Sequence, residues 1–183
     1  MMKSVPFHAA WALLLVLFVG CVSVPQSIQP VEPFEAQRYL GQWYEIARLD
    51  HSFERGLIKV RANYSLQEDG GLKVVNQGYS PESKSWKTAV GKAYFVKSRH
   101  QGFLKVSFWG PFYGSYIVFE LDQAKYQYAL VSGPNKSYLW LLSRTPTLDP
   151  DLQRQLIAKA KALGFDTSRL ILVDQGDASM PRP

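Results

Sequence analysis

The sequence predicts an all-β protein: one eight-stranded antiparallel up-and-down barrel with a C-terminal α-helix and a short ninth strand. Two patterns carry this prediction. Between residues 41 and 144, short β-rich runs alternate with turns rich in glycine, proline and asparagine. One run with the apolar spacing of an amphipathic helix follows at residues 150–163. The 183 residues, 46% hydrophobic and 20% charged, suffice for one domain with a substantial core.

The first twenty residues are typical of a targeting segment. Lys3 precedes an apolar stretch, Ala9–Val19, which has signal-peptide length and is too short to span a bilayer as a helix. It ends in Phe18-Val19-Gly20-Cys21, which resembles the lipobox of bacterial lipoproteins, although leucine is usual where Phe18 stands. Cys21 is the only cysteine, so it cannot form an internal disulfide, and we expect it to be lipidated. The alternative is a signal peptide cut elsewhere, which would leave a free thiol.

The segment after the cysteine predicts a membrane tether. Pro25, Pro30 and Pro33 occur there without periodicity, which is typical of an extended linker. Acyl chains on Cys21 would hold the protein on a bilayer. Lipoproteins retained at the inner membrane often carry Asp where this chain has Val22, so the resemblance implies the outer membrane, at its periplasmic face. The chain then divides into a signal peptide (1–20), an anchored tether (21–33), the barrel with its helix (34–175) and a flexible tail (176–183).

Eight consecutive runs are the expected strands. They are Trp43–Leu49, Ile58–Gln67, Leu72–Tyr79, Lys87–Lys97, Phe103–Trp109, Ser115–Leu121, Tyr126–Ser132 and Tyr138–Arg144. Apolar and polar residues alternate along the second run, which gives each strand an apolar and a polar face. Short connections favour a meander, and a meander of this length loses its exposed edges by closing into a barrel. Small residues on the apolar faces, such as Ala62 and Gly91, favour an interior that holds one small ligand.

The C-terminal part predicts a helix and a last strand. Asp149 and Pro150 are an N-cap and a proline at the first helical position. Apolar residues then recur at helical spacing until Gly164, which ends the helix. We expect this helix to lie against the outside of the barrel, followed by a short ninth strand at Leu170–Val173.

Four tracts resemble the lipocalin family. Gly41–Arg48 (GQWYEIAR) is similar to the first lipocalin motif, G-x-W, and Trp140–Arg144 (WLLSR) to the third. Phe108–Gly114 and Tyr128–Pro134 look specifically like bacterial lipocalins, outer-membrane lipoproteins related to apolipoprotein D. The second motif, T-D-Y, is poorly matched by Asp122–Tyr126. The resemblance covers nearly the whole chain and implies a carrier of hydrophobic small molecules.

Strand parity predicts which residues close the barrel. Trp43 begins the first strand and Arg144 ends the eighth, so the two meet at one end, where the guanidinium covers the indole and, with Gly41, forms the floor. The other end becomes an open mouth. Its four loops are expected at residues 51–57, 80–86, 110–114 and 133–137.

Residues above the floor are the candidate ligand wall. Asn76 lies on an apolar face, so its amide needs a partner such as a ligand head group or a water molecule. Phe112, next to Tyr113 between glycines, is expected either to cover the mouth or to contact a membrane. The predicted wall consists of Trp140, Tyr138, Asn76, Tyr64, Ala62, Val74, Phe108, Tyr116 and Phe112.

The sequence thus predicts a lipid-anchored lipocalin that binds and stores or transports fatty acids or lysophospholipids at the bacterial outer membrane, for envelope maintenance. We expect no catalysis, because only His51 and His100 remain beyond the signal segment and neither a G-x-S-x-G elbow nor a phosphate loop occurs. The pair His51 and Glu54 lacks the further ligands of a zinc site. No cofactor, metal or nucleic-acid partner is expected, and a homodimer is left open.

Two alternatives remain at this stage. A lipocalin-fold enzyme acting on a lipid or isoprenoid would use polar groups inside the barrel, for which the sequence offers Asn76 and Glu45, the latter expected to be buried and structural. An integral outer-membrane barrel would turn its apolar faces outward. The lipobox, the proline-rich tether and the C-terminal helix favour the lipoprotein.

Overall fold

The computed structural model describes residues 22–176, so the predicted signal peptide, Cys21 and residues 177–183 lie outside the described part of the chain. The strands are β1 Gly41–Arg48, β2 Ile58–Leu66, β3 Leu72–Ser80, β4 Ser85–Phe95, β5 Phe103–Ser107, β6 Gly114–Leu121, β7 Tyr128–Ser132, β8 Leu139–Ser143 and β9 Ile171–Leu172. The helices are α1 Ala36–Tyr39 and α2 Pro150–Ala162, with a 3₁₀ turn at Thr167–Arg169. No helix in this part of the chain is long and apolar enough to cross a membrane.

The sheet is a meander that closes on itself. Each strand from β1 to β8 pairs antiparallel with the next, and β8 returns to pair with β1, so no barrel strand has a free edge. β9 adds to the far part of β1 through Ala47 and Arg48. The predicted fold, an eight-stranded up-and-down barrel with one main helix and a ninth strand, is confirmed.

The turn between β6 and β7 differs from the expected boundary. Tyr126 has a φ of 56°, in the left-handed region outside regular strand geometry, and β7 begins two residues later, at Tyr128. Asp122 shapes this turn, because its carboxylate accepts hydrogen bonds from the backbone N–H groups of Ala124, Lys125 and Gln127. The poorly matched motif therefore still forms a compact turn at the floor end of the barrel.

Helix α2 begins and ends as its sequence predicts. The Asp149 carboxylate accepts hydrogen bonds from the N–H groups of Asp151 and Leu152, at 3.0 and 2.9 Å. At the other end Gly164 has a φ of 87°, a conformation that costs glycine little. Leu156 and Ala160 are buried on the side of the helix that faces the barrel. The helix therefore covers the outer apolar surface of the barrel and leaves its interior free.

The segment expected to be an extended tether is packed against the barrel. Val31 exchanges backbone hydrogen bonds with Val118 and Gly102, and the Phe34 N–H donates to the His100 carbonyl. Ile28 is buried in the apolar cluster beneath α2. This outer cluster offers the segment a place to bury its apolar side chains, so it folds with the barrel. Composition alone could not show this, because a proline-rich segment is extended whether it is docked or free.

Candidate functional site

Trp43 and Arg144 close the floor of the barrel. Trp43 is fully buried, and its indole N–H donates to the Tyr39 carbonyl at 2.8 Å. The guanidinium carbon of Arg144 lies 4.0 Å from the indole centroid, which is the contact that strand parity predicts. Arg144 also donates to the carbonyl oxygens of Gln42, Arg38 and Tyr126, at 2.9, 2.7 and 3.2 Å. One side chain thus ties three chain segments together beneath the cavity.

Gly41 is required at the floor by its backbone conformation. Its φ of 88° lies in the left-handed region, which a residue with a Cβ adopts at a cost of about 1–2 kcal/mol. A Cβ built there would lie 3.6 Å from Arg144 Nη1, which is ordinary contact. The glycine of the G-x-W motif is therefore needed for its φ angle and not for space.

A cluster of three tyrosine hydroxyls lies just above the floor. Tyr116 is hydrogen-bonded to Tyr39 at 2.7 Å and to Tyr64 at 2.8 Å. Burial raises the pKa of all three phenols, so they stay neutral at physiological pH. Two bonds among three hydroxyls use two of their three protons. The cluster therefore retains one hydrogen-bond donor for a ligand or a water molecule.

A cavity of about 560 Å³ fills the barrel above these tyrosines. This volume falls in the range of about 300–1,000 Å³ that is usual for small-molecule sites. Most of its wall is apolar, with Leu72, Ala93 and Leu104 near the floor and Val60 and Leu142 on other strands. The structure brings all nine predicted wall residues to this cavity: Trp140, Tyr138, Asn76, Tyr64, Ala62, Val74, Phe108, Tyr116 and Phe112.

Asn76 presents an unsatisfied acceptor to the cavity. Its Oδ1 is buried and has no hydrogen-bond partner among residues 22–176. The neighbours of Asn76 across β2 and β4 are Ala62 and Ala89, so the space in front of the amide is wide. Since an unpaired buried acceptor costs about 1–3 kcal/mol, a ligand or water that donates to it gains affinity.

A buried polar network on the cavity wall escaped sequence analysis. Arg48 Nη1 donates to Glu45 Oε1 at 2.8 Å, and Nη2 donates to the carbonyls of Glu54 and Leu57, at 2.9 and 3.1 Å. The Trp140 indole N–H in turn donates to Glu54 Oε2 at 3.1 Å. Glu45 is buried in the wall, as expected, and Arg48 is its partner. The network therefore holds the first mouth loop against the wall.

His51 completes the network, and the two carboxyls have different pKa values. His51 Nε2 lies 3.1 Å from Glu54 Oε2. Burial raises the pKa of Glu45 well above its usual value, with help from the charge of Glu54 and against the effect of Arg48. Burial also opposes ionisation of Glu54, but the hydrogen bond and charge of His51, together with the Trp140 N–H, outweigh it and lower the Glu54 pKa. Glu45 therefore holds a proton more readily than Glu54.

The network was missed because β1 is irregular. Strict alternation from Trp43 and Glu45 would turn Arg48 to the outside. The pairing of β1 with β8 instead shifts by one residue between Glu45 and Ala47, and beyond this bulge Arg48 faces inward. No residue type in the strand indicates that a bulge occurs there. Among the described residues, no three His, Cys, Asp or Glu side chains are grouped as a metal site.

The fold and the cavity define the class of protein: an eight-stranded barrel with a deep, mostly apolar pocket, closed below and open above. Residues 34–175 match the family model described as a lipocalin-like domain. The chain belongs to the lipocalin family.

Two related proteins support this assignment, and one solved structure supports the fold. The chain is 59% identical to the outer membrane lipoprotein Blc of Vibrio cholerae, over 89% of this chain and 95% of that protein. It is 30% identical to mouse apolipoprotein D, over 80% and 79% of the two chains. The solved structure of insecticyanin from the tobacco hornworm is similar, with a TM-score of 0.65 and 19% identity over 86% of this chain and 89% of that one. The bacterial relatives confirm the expected branch of the family and the outer-membrane location.

Proposed function

We propose that the protein binds single-chain amphiphiles, fatty acids or lysophospholipids, with the acyl chain inside the barrel, and that it stores or carries them for envelope maintenance. The apolar cavity of about 560 Å³ is the observation that carries the proposal. The Blc name of the bacterial relatives agrees with a lipoprotein that works at the outer membrane. We further propose that acyl chains on Cys21 hold it on the periplasmic face.

The energetics set a minimum length for the acyl chain. Each methylene moved out of water contributes about 0.8 kcal/mol, so ten contribute about 8 kcal/mol. Association costs roughly 4 kcal/mol or more in lost freedom of motion. A long chain therefore binds and a short one does not. Removing two methylenes from a ligand is expected to raise Kd about 15-fold.

The Asn76 amide favours ligands that carry a hydroxyl. Asn76 Oδ1 is a free acceptor, and the free glycerol hydroxyl of a lysophospholipid can donate to it. An ionised fatty acid has no such donor. We therefore expect lysophospholipids to bind more tightly than fatty acids of the same chain length.

Calorimetric titration of the mature chain carrying Cys21→Ser tests both statements. The ligands are lysophosphatidylethanolamines of increasing chain length, the matching fatty acids and a lysophospholipid analogue without the hydroxyl. Asn76→Leu should weaken lysophospholipid binding about 5- to 15-fold and leave fatty-acid binding nearly unchanged. Asn63→Leu is the matched control, because Asn63 lies on the exposed face of the adjacent strand. Affinity that does not depend on chain length would contradict burial in the barrel.

Catalysis is the competing proposal, and one observation favours it. Glu45 and Glu54 are buried carboxyls with opposite pKa shifts beside a ligand cavity, an arrangement that also occurs in active sites. A structural role accounts for the same contacts, because Arg48 and Trp140 bind these acids and the first mouth loop. We propose binding without turnover. Recovery of lysophospholipids unchanged after long incubation supports it, whereas acyl release that Glu54→Gln abolishes would establish an enzyme.

A further inference from the structure

The described chain begins at the mouth of the barrel. The Ser23 N–H donates to Ser115 Oγ at 2.8 Å, and Ser115 Oγ donates back to the Ser23 carbonyl at 2.7 Å. Ser23 Oγ also donates to the carbonyl of Pro134, at 3.1 Å. Ser115 is the second residue of β6, at its mouth end, and Pro134 lies in the mouth loop between β7 and β8. Three hydrogen bonds thus fix the start of the segment to the rim.

This placement restricts where a lipid on Cys21 can be. Two residues of chain reach about 7 Å from Ser23 at most. The floor end of the barrel is much farther away, because the nine residues of β2 alone extend over roughly 26 Å. A free tether of twelve residues would reach about 40 Å and leave the barrel unoriented. The docked segment instead keeps any anchor on Cys21 beside the open end.

Exposed aromatic side chains surround the same open end. Trp109 and Phe112, both in the loop between β5 and β6, are 80% and 60% exposed, and Phe53, in the loop between β1 and β2, is 58% exposed. Every large aromatic residue among the exposed hydrophobic residues of the described chain lies in these two mouth loops. Trp and Phe are the side chains that enter the boundary between lipid head groups and acyl chains.

Charges on the rim are nearly balanced. Arg55 pairs with Asp50 in the first loop, at 2.8 Å, and Glu82 is followed by Lys84 in the second. Lys136 adds one positive charge in the loop between β7 and β8. The loop that carries Trp109 and Phe112 has no charged residue between them. Contact of this rim with lipid would therefore be mainly apolar and would depend little on salt.

We propose that the mouth of the barrel faces the bilayer that holds the anchor, with Trp109, Phe112 and Phe53 in its head-group layer. The partner is the phospholipid surface itself. A single-chain lipid can then pass between the leaflet and the cavity without crossing water. This inference rests on the proposed lipidation of Cys21, and its new element is the orientation of the barrel on the membrane.

Environment-sensitive labels on the mature lipidated protein test this orientation. A lipidated Cys21 is blocked, so Trp109→Cys and Leu66→Cys each introduce one reactive thiol, at the mouth and at the floor end. Both positions are exposed, which makes Leu66 the matched control. The labelled proteins are inserted into vesicles of phosphatidylethanolamine and phosphatidylglycerol. We expect the label at 109 to shift to the blue and to be quenched by spin-labelled lipids, in high and low salt alike, and the label at 66 to do neither.

Three outcomes would overturn the orientation: quenching at 66 instead of 109, equal quenching at both, or quenching at neither. Protection of the label at 109 by a second copy of the chain would also overturn it, and cross-linking at low protein-to-lipid ratio detects such a dimer. Mass spectrometry of Cys21 distinguishes this failure from failure of the anchor, because an acylated chain with an unquenched label contradicts only the orientation. A chain without acyl groups contradicts the proposed lipidation.

Discussion

Replacement of Arg144 by methionine is expected to destabilise the floor of the barrel by about 2–3 kcal/mol. The guanidinium lies 4.0 Å from the Trp43 ring centroid, and such a contact is worth about 0.5–2 kcal/mol. The same group donates to the carbonyls of Gln42, Arg38 and Tyr126. Because this site is only partly buried, we assign the three bonds together about 1–2 kcal/mol.

Urea unfolding of the mature chain, followed by tryptophan fluorescence, measures this loss. In thermal unfolding, the melting temperature should fall by about 4–10 °C. Arg144→Lys keeps the charge but cannot reach three carbonyls at once, so it should recover only part of the stability. Arg154→Met is the control, because Arg154 is exposed and pairs only with Asp151 on α2. A loss below about 1 kcal/mol for Arg144→Met, or an equal loss for Arg154→Met, would refute this account of the floor.

The remaining predictions concern the network, the helix cap and the G-x-W turn. The lowered pKa of Glu54 stabilises the fold above the unfolded pKa of about 4.3, and this contribution is lost as pH falls through the folded value. In chemical unfolding, Glu54→Gln should therefore cost stability at pH 7 and progressively less as pH falls below about 4. Glu45 acts in the opposite direction, because its raised pKa favours the fold at low pH and disfavours it as pH rises. Glu45→Gln should therefore be more favourable to stability at pH 8 than at pH 4, and an equal effect at both pH values would contradict this. Asp149→Ala removes the N-cap of α2 and should lower the free energy of unfolding by about 1 kcal/mol in thermal unfolding. No loss would show that the cap does not stabilise the helix. Gly41→Ala should cost about 1–2 kcal/mol with no change in ligand affinity, and a neutral result would argue against the φ requirement.

Most of the barrel could be predicted from local patterns. Period-two alternation and turn residues located all eight strands, and Asp149, Pro150 and Gly164 located the helix. Apolar alternation placed the strand residues of the predicted wall on inner faces, and Phe112 was predicted from its glycine-flanked loop. Strand parity separated the floor from the mouth, because successive strands of a meander run in opposite directions. These features depend on neighbouring residues in the chain, so the sequence is sufficient to find them.

The buried polar network on the cavity wall could not be predicted in the same way. A one-residue shift in the pairing of β1 with β8 turns Arg48 inward, where it meets Glu45 and the backbone of Glu54. Such a shift depends on the packing of two strands far apart in sequence. The pairing of His51 and Glu54 was visible as a local pattern, but its burial and its contact with Trp140 were not.

The sequence by itself determined the family, the barrel, its closed floor and the apolar character of its interior. Hydrophobic periodicity and the special conformations of glycine and proline act over a few residues, so they can be recognised in the sequence without the structure. The tertiary structure alone decided where the N-terminal segment lies, which charges meet inside the wall and which end of the barrel stands beside Ser23. The place of the N-terminal segment depends on a contact between distant residues, Ser23 and Ser115, whose separation is |i−j| = 92. The charges in the wall are close in sequence, but they meet only because the pairing of β1 with the distant strand β8 turns Arg48 inward.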